Sequence, residues 1–188
     1  MSSRFDILDT PIPGLKLIQR KPLGDSRGYF ERLFCTEDLQ ALLSAGKGIV
    51  QINHTLTTKR GTVRGLHFQY PPHAETKYVS CLRGEVFDVA VDLRQGSPTF
   101  LHWHAEILNA DNHKTLVIPE GFAHGFQTLT EDTELLYFHT AAYQPSAEGG
   151  LNVQDPKLNI RWPETVTELS PRDAANPWVT EAFGGVPV

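Results

Sequence analysis

The sequence predicts an all-β protein, a sandwich or barrel of short strands, and three observations carry that expectation. Glycine (15) and proline (13) punctuate the whole length instead of gathering in one linker. Residues 85–94 alternate with a period of two, Phe87, Val89, Val91 and Leu93 against Asp88, Ala90, Asp92 and Arg94. Few stretches between the turn signals leave room for a helix. Strand periodicity broken by frequent Gly/Pro turns is the pattern of sheets packed or closed on themselves.

In chain order, the one helix candidate is residues 36–45. Thr36 can cap it, Glu37 and Asp38 suit the positive end of its dipole, and Leu39, Leu42 and Leu43 form an apolar stripe for core packing. Short strands are expected at residues 49–53, 101–108 and 115–118, with the clearest at 85–94. A further strand at 134–143 puts Leu135, Tyr137, His139, Ala141 and Tyr143 on one face. Three ring-bearing polar residues on one strand face point to a pocket lining. Beyond residue 144 the chain turns Pro- and Asn-rich and is expected to wrap the sheet as loops, so residues 1–188 read as one domain.

Composition narrows the function classes. With 188 residues, 40% of them hydrophobic, the chain can bury one sizeable core. Charged residues at 21% argue against wholesale disorder. A net charge of -5 argues against a nucleic-acid partner, though two or three Arg or Lys side chains would still make a local anion site. No apolar run approaches the roughly 20 residues of a membrane span, so no membrane partner is expected. Residues 1–6 carry no apolar stretch, and the expectation is a cytoplasmic protein. Cys35 and Cys81 are expected to be buried free thiols.

Two segments carry the candidate chemistry. The first is Gly61-Thr62-Val63-Arg64-Gly65-Leu66-His67-Phe68-Gln69, followed by Glu75 and Lys77; the second is Pro119-Glu120-Gly121-Phe122-Ala123-His124-Gly125-Phe126. Together they resemble the two signature motifs of the cupin superfamily, which implies a jelly-roll β-barrel. Metal-binding cupins place histidines and a carboxylate where this chain has His67, Gln69, Glu75 and His124. A neutral amide at Gln69 is a weak ligand for a transition metal, so no bound metal is expected. Freed from a metal, His67 can take and return a proton near neutrality. Lys77, in a segment expected beside the His67 strand, could steady the oxyanion of an enolate, and Tyr137 could act as an acid from the opposite wall. Taken alone, His67 reads as a structural histidine and Tyr137 and Tyr143 as packing residues with a wet hydroxyl.

The full run of segments resembles the dTDP-4-dehydrorhamnose 3,5-epimerase family, metal-free cupins acting on nucleotide-linked 4-keto-6-deoxy sugars. Its further segments are Asp25-Ser26-Arg27-Gly28-Tyr29-Phe30, Gln51-Ile52-Asn53, Asp88 through Arg94, Asp155-Pro156, Trp162-Pro163 and Leu169-Ser170-Pro171-Arg172-Asp173. The resemblance implies His67 as base, Asp173 as the acid that orients it, Lys77 beside the C4 oxygen and Tyr137 as proton donor. It places Arg27, Gln51, Asn53 and Arg64 around the diphosphate and sugar, His124 in the pocket, and Phe30, Arg32 and Tyr143 with the substrate-binding set. It implies no cofactor and a homodimer in which N-terminal strands reach the partner, with Arg27 near the partner's active site. Two departures stand out. Arg32 occupies the family's glutamate position, next to Glu31, and Phe138-His139-Thr140-Ala141-Ala142 replaces a lysine-and-threonine run.

Two other readings of the same barrel stay open at this point: a metal-dependent oxygenase or isomerase using His67, Glu75 and His124, and a non-catalytic nucleotide-sugar binding module.

Overall fold

A computed structural model describes residues 3–44 and 46–188. In chain order the strands are β1 (Phe5–Asp9), β2 (Lys16–Arg20), β3 (Leu23–Asp25), β4 (Gly28–Phe30), β5 (Gln51–Thr57), β6 (Val63–Gln69) and β7 (Lys77–Arg83). They continue with β8 (Glu85–Asp92), β9 (Trp103–Asn109), β10 (Lys114–Ile118), β11 (Phe122–Thr128), β12 (Thr133–His139) and β13 (Glu148–Gly150). A single turn of α-helix, α1 (Pro171–Ala174), lies near the C-terminus. Two antiparallel sheets result, ordered β1-β2-β10-β7-β12-β5 and β13-β6-β11-β8-β9, with β3-β4 standing apart as a hairpin. This is the all-β architecture expected from the strand pattern, and the jelly roll that the cupin resemblance implied.

The alternation along β8 shows how the layers are built. Val86 and Ala90 enter the core between the sheets, meeting Leu17, Val79, Leu116, Phe122, Phe126 and Leu135. Val89, Val91 and Leu93 point the other way and pack under Leu151, Val153, Leu158 and Val179 of the C-terminal wrap. Both faces of the strand are therefore buried, and Asp88 and Asp92 are fully so. A buried carboxylate must be paired. Asp92 is met by Arg94, Ser97 and Thr99, which turn the loop after β8, and hydrogen bonds from all three hold its carboxyl at about 2 against the upward push of burial. Asp88 faces the space between the sheets. The outer face of the larger sheet buries Ile18, Tyr78, Val117 and Phe138 under the chain around Leu39.

Several boundaries differ from the sequence expectations. Residues 36–45 form no α-helix: the described part holds only a three-residue 3-10 turn, Gln40–Leu42, and Ala45 lies outside the described residues. Thr36 caps nothing, because Leu39 occupies the cap position and Asp38 is drawn into an ion pair with Arg32 instead of serving a first turn. A ten-residue segment without caps is too short to sustain a helix by propensity. The apolar stripe still does its expected work, with Leu39 fully buried. The strand expected at 134–143 ends at His139, so Tyr143 leaves the sheet and stands at the cavity rim, half exposed. The strand expected at 49–53 runs from Gln51 to Thr57. Lys77 is not beside the His67 strand: β7 lies in the larger sheet and β6 in the smaller, so the two residues face each other across the barrel. Cys81 is buried and Cys35 half-buried, both as free thiols.

Candidate active site

A cavity of 720 Å³ opens between the two sheets, lined by β5, β6, β7, β11 and β12 and closed on one side by residues 168–173. Its floor depends on a close approach of β6 to β11. Gly65 (φ +135°) sits where a Cβ would lie 2.6 Å from the Cα of Gly125, so neither strand could carry a larger residue there. That contact sets His67 directly opposite His124 across the pair.

His67 is half-buried, and its Nε2–H donates to Asp173 Oδ1 at 2.7 Å. Asp173 sits in α1, where Ser170 caps the turn, and its second oxygen accepts from the Gly65 backbone N–H at 3.2 Å. Burial pushes the Asp173 carboxyl up, but these donors outweigh it and hold it below the usual carboxylate range. The carboxylate thereby fixes one ring nitrogen, and Nδ1 of His67 has no hydrogen-bond partner among the described residues. A basic nitrogen in a cavity, oriented by a buried anion, is the arrangement of a proton acceptor.

The facing sheet supplies a cation and an acid. Lys77 is buried, with Nζ donating to the His67 carbonyl oxygen at 3.3 Å and lying 3.4 Å from Glu75 Oε1. Tyr137, on β12, is buried with its ring edge-on to His124 at 5.9 Å. Burial drives its phenol well above the ordinary value, and the nearby charge of Asp88 adds to the shift. The group is thus kept as a neutral O–H donor. Asp88 holds His124 in turn, accepting from Nε2–H at 2.8 Å.

Among the remaining residues singled out in the sequence, Gln51, Asn53, Arg64, His124 and Tyr143 all line the same cavity. The Arg64 guanidinium crosses the mouth to Thr57, donating through Nε at 3.0 Å. Arg27, Phe30 and Arg32 do not reach the cavity of their own chain. Arg27 and Phe30 are on the β3-β4 hairpin, which pairs with neither sheet; Arg27 is strongly exposed and bound to Asp25, and Arg32 is held by Asp38. The side chains of the metal reading are each engaged elsewhere: His67 by Asp173, Glu75 by His139, His124 by Asp88. Among the described residues no group of three His, Cys, Asp or Glu is gathered to hold a metal ion.

Sequence reasoning missed five cavity residues or their roles. Arg172 and Glu148 pair at the rim, where Tyr143 Oη–H donates to Glu148 at 2.7 Å. Arg172 immediately precedes Asp173, and that adjacency was the signal available. Glu75 and His139 form a buried pair inside the cavity. Gln69, read only as a failed metal ligand, clamps the rim loop: its amide donates to the Ala142 carbonyl at 3.3 Å and accepts from Gln144 N–H at 2.7 Å.

The same fold recurs in known proteins. Residues 9–181 match the family described as dTDP-4-dehydrorhamnose 3,5-epimerase. An enzyme of that name from Salmonella typhimurium is 44% identical over 94% of this chain and 97% of its own length. The crystal structure of a Legionella pneumophila dTDP-6-deoxy-D-glucose-3,5-epimerase, in complex with dTDP-4-keto-L-rhamnose, superposes with a TM-score of 0.89 at 40% identity, covering 98% of both chains. A 3'-monoepimerase from Streptomyces bikiniensis, in complex with dTDP-quinovose, superposes at 0.81 with 33% identity, covering 91% of this chain and 86% of its own. Identity at this level, sustained from end to end on one fold, makes this chain a member of the dTDP-4-dehydrorhamnose 3,5-epimerase family.

Proposed function

We propose that this chain is an isomerase that inverts C3, C5 or both of a nucleotide-linked 4-keto-6-deoxyhexose, and that residues 1–188 form one catalytic unit. The observation that carries the reading is the His67–Asp173 pair on one wall of the cavity, facing Lys77 and Tyr137 on the other. Hydrogens on C3 and C5 flank the C4 ketone, so loss of either proton gives a resonance-stabilised enolate. His67 Nδ1 takes that proton, and the C–H electron pair moves into the carbonyl so that charge collects on the C4 oxygen. The Lys77 ammonium stabilises that oxygen where water is excluded. Tyr137 returns a proton to the opposite face of the same carbon, which inverts it. The ketone is already present in the substrate, so the reaction calls for no redox cofactor.

Arg64, with Gln51 and Asn53, binds the diphosphate and sugar; guanidinium forks suit phosphate oxygens. Tyr143 and His124 complete the binding set. Arg27, Phe30 and Arg32 belong to it through a homodimer, in which the hairpin of one subunit reaches the cavity of its partner. Three features support the dimer. The hairpin has no sheet of its own to join, Tyr29 and Phe30 on it are about two-thirds exposed, and β5 is an open sheet edge carrying exposed Ile52 and Leu56. The two free thiols suit a reducing compartment, which supports a cytoplasmic enzyme. No helix among the described residues is long and apolar enough to cross a membrane.

Two relatives of solved structure bind, by their descriptions, dTDP-linked sugars, and a third binds TDP and PPi. We take a dTDP-linked sugar as substrate, with Arg32 the residue most able to change the nucleotide preference. Incubation with dTDP-, CDP- and GDP-linked 4-keto-6-deoxyglucose, followed by borohydride trapping and NMR of the reduced sugar, tests this. Inverted product from the dTDP sugar is expected. Recovery of the starting configuration from all three would refute it.

A further inference from the structure

Glu75 and His139 lie inside the cavity, yet the proton-transfer scheme uses neither. Glu75 Oε2 accepts from His139 Nδ1–H at 2.8 Å, and both side chains are nine-tenths buried. The bonds around them have a fixed direction that can be worked out from one end. The Tyr143 backbone N–H can only donate, and it donates to Gln51 Oε1 at 2.9 Å. That turns the Gln51 amide nitrogen toward Asn53, where it donates to Oδ1 at 3.1 Å. The Asn53 amide nitrogen therefore points at His139 Nε2, 3.3 Å away, and that nitrogen must accept. His139 is left with its proton on Nδ1, aimed at Glu75. At the far end Lys77 can only donate, to Glu75 Oε1 and to the His67 carbonyl oxygen.

We propose that the Glu75–His139 pair is a positioning unit for Lys77, linking the residues at the cavity mouth to the ammonium that meets the C4 oxygen. His139 is not a second base, since both its ring nitrogens are already engaged. Plain structural stabilisation is a poor account of the pair, because a buried hydrogen-bonded pair adds little stability that apolar side chains of the same size would not. Its value is directional. Glu75 with one oxygen fixed by His139 offers Lys77 a single place to stand, and a cation held at one point stabilises an oxyanion better than a mobile one. Burial pushes the Glu75 carboxyl up, and His139 and Lys77 together overcome it and keep the group ionised. A sugar engaging Gln51 or Asn53 would tighten this chain and hold Lys77 in place at the moment of binding.

This inference rests on the epimerase reading, which wild-type turnover tests by itself. The variants His139→Ala, His139→Asn and Lys77→Ala, with the double variant Lys77→Ala/His139→Ala, test the coupling in the full-length protein. His139→Ala should lower kcat about 10- to 100-fold while KM stays within about threefold. His139→Asn, whose amide reaches the place of Nδ1, should recover to within about fivefold of wild type. On the Lys77→Ala background, His139→Ala should cost less than about threefold more, because the residue it serves is gone. Additive losses, or equal losses in the alanine and asparagine variants, would overturn the proposal. An activity-independent measurement stands beside these: long-range proton–nitrogen NMR of the histidine rings should show His139 as the Nδ1–H tautomer, and an Nε2–H tautomer would overturn it as well.

Discussion

At the residue scale the site is a set of buried charges, each held by a named partner, and these partners were the least legible part of the sequence. Asp173 was singled out through family resemblance alone, since His67 and Asp173 are 106 positions apart and only the fold brings them to 2.7 Å. Asp88 could be placed on the polar side of an alternating strand, but a period of two distinguishes faces without saying which one meets water. The partner choices Asp88–His124 and Glu75–His139 depend on which strands face each other across the barrel, which no local pattern encodes. Asp173 carries a pH-dependent prediction. Its folded carboxyl lies below the ordinary 3.8, so its charged form contributes stability above that value and loses it as pH falls through the lower folded one. Asp173→Asn should therefore cost about 1–3 kcal/mol at neutral pH. Thermal unfolding should show the gap between the two proteins closing in acid, and a gap that widened in acid would count against the ion pair.

At the element scale the strands were largely readable and the helix was not. Residues 85–94 contain β8 (Glu85–Asp92), and residues 115–118 lie within β10 (Lys114–Ile118). Both have clear turn residues beside them. The expectation at 134–143 failed beyond His139 because Gln69, distant in sequence, captures the Ala142 and Gln144 backbone and bends the chain away. Residues 36–45 carried the correct apolar stripe for the wrong secondary structure, since a stripe reports burial and needs caps to become a helix. The β6–β11 contact gives the prediction at this scale. Gly65→Ala puts a Cβ at 2.6 Å from the Gly125 Cα on a backbone of positive φ. Overpacking should cost roughly 1–3 kcal/mol, with roughly 1–2 more for the backbone conformation. Differential scanning calorimetry should show the loss, together with reduced turnover as His67 shifts; an unperturbed melting temperature would contradict the close approach.

At the scale of the whole molecule, the jelly roll sets two walls facing each other across the cavity, and the hairpin that joins neither sheet argues for a second subunit. Phe30→Glu combined with Ile52→Lys should leave the circular dichroism unchanged, turn the dimer into a monomer by light scattering, and reduce turnover by at least about tenfold, a loss on the order of 1.4 kcal/mol in transition-state stabilisation. A wild-type protein that is monomeric at assay concentration would rule out the dimer. Catalysis itself, however, turns on proton abstraction by His67 beside the ketone. Solvent-deuterium wash-in into a dTDP-linked 4-keto-6-deoxy sugar, followed by NMR, addresses it most directly. Wild-type protein should place deuterium at C3, C5 or both, and His67→Ala should slow that exchange by about 10²- to 10⁴-fold. Exchange at the wild-type rate in His67→Ala would contradict it.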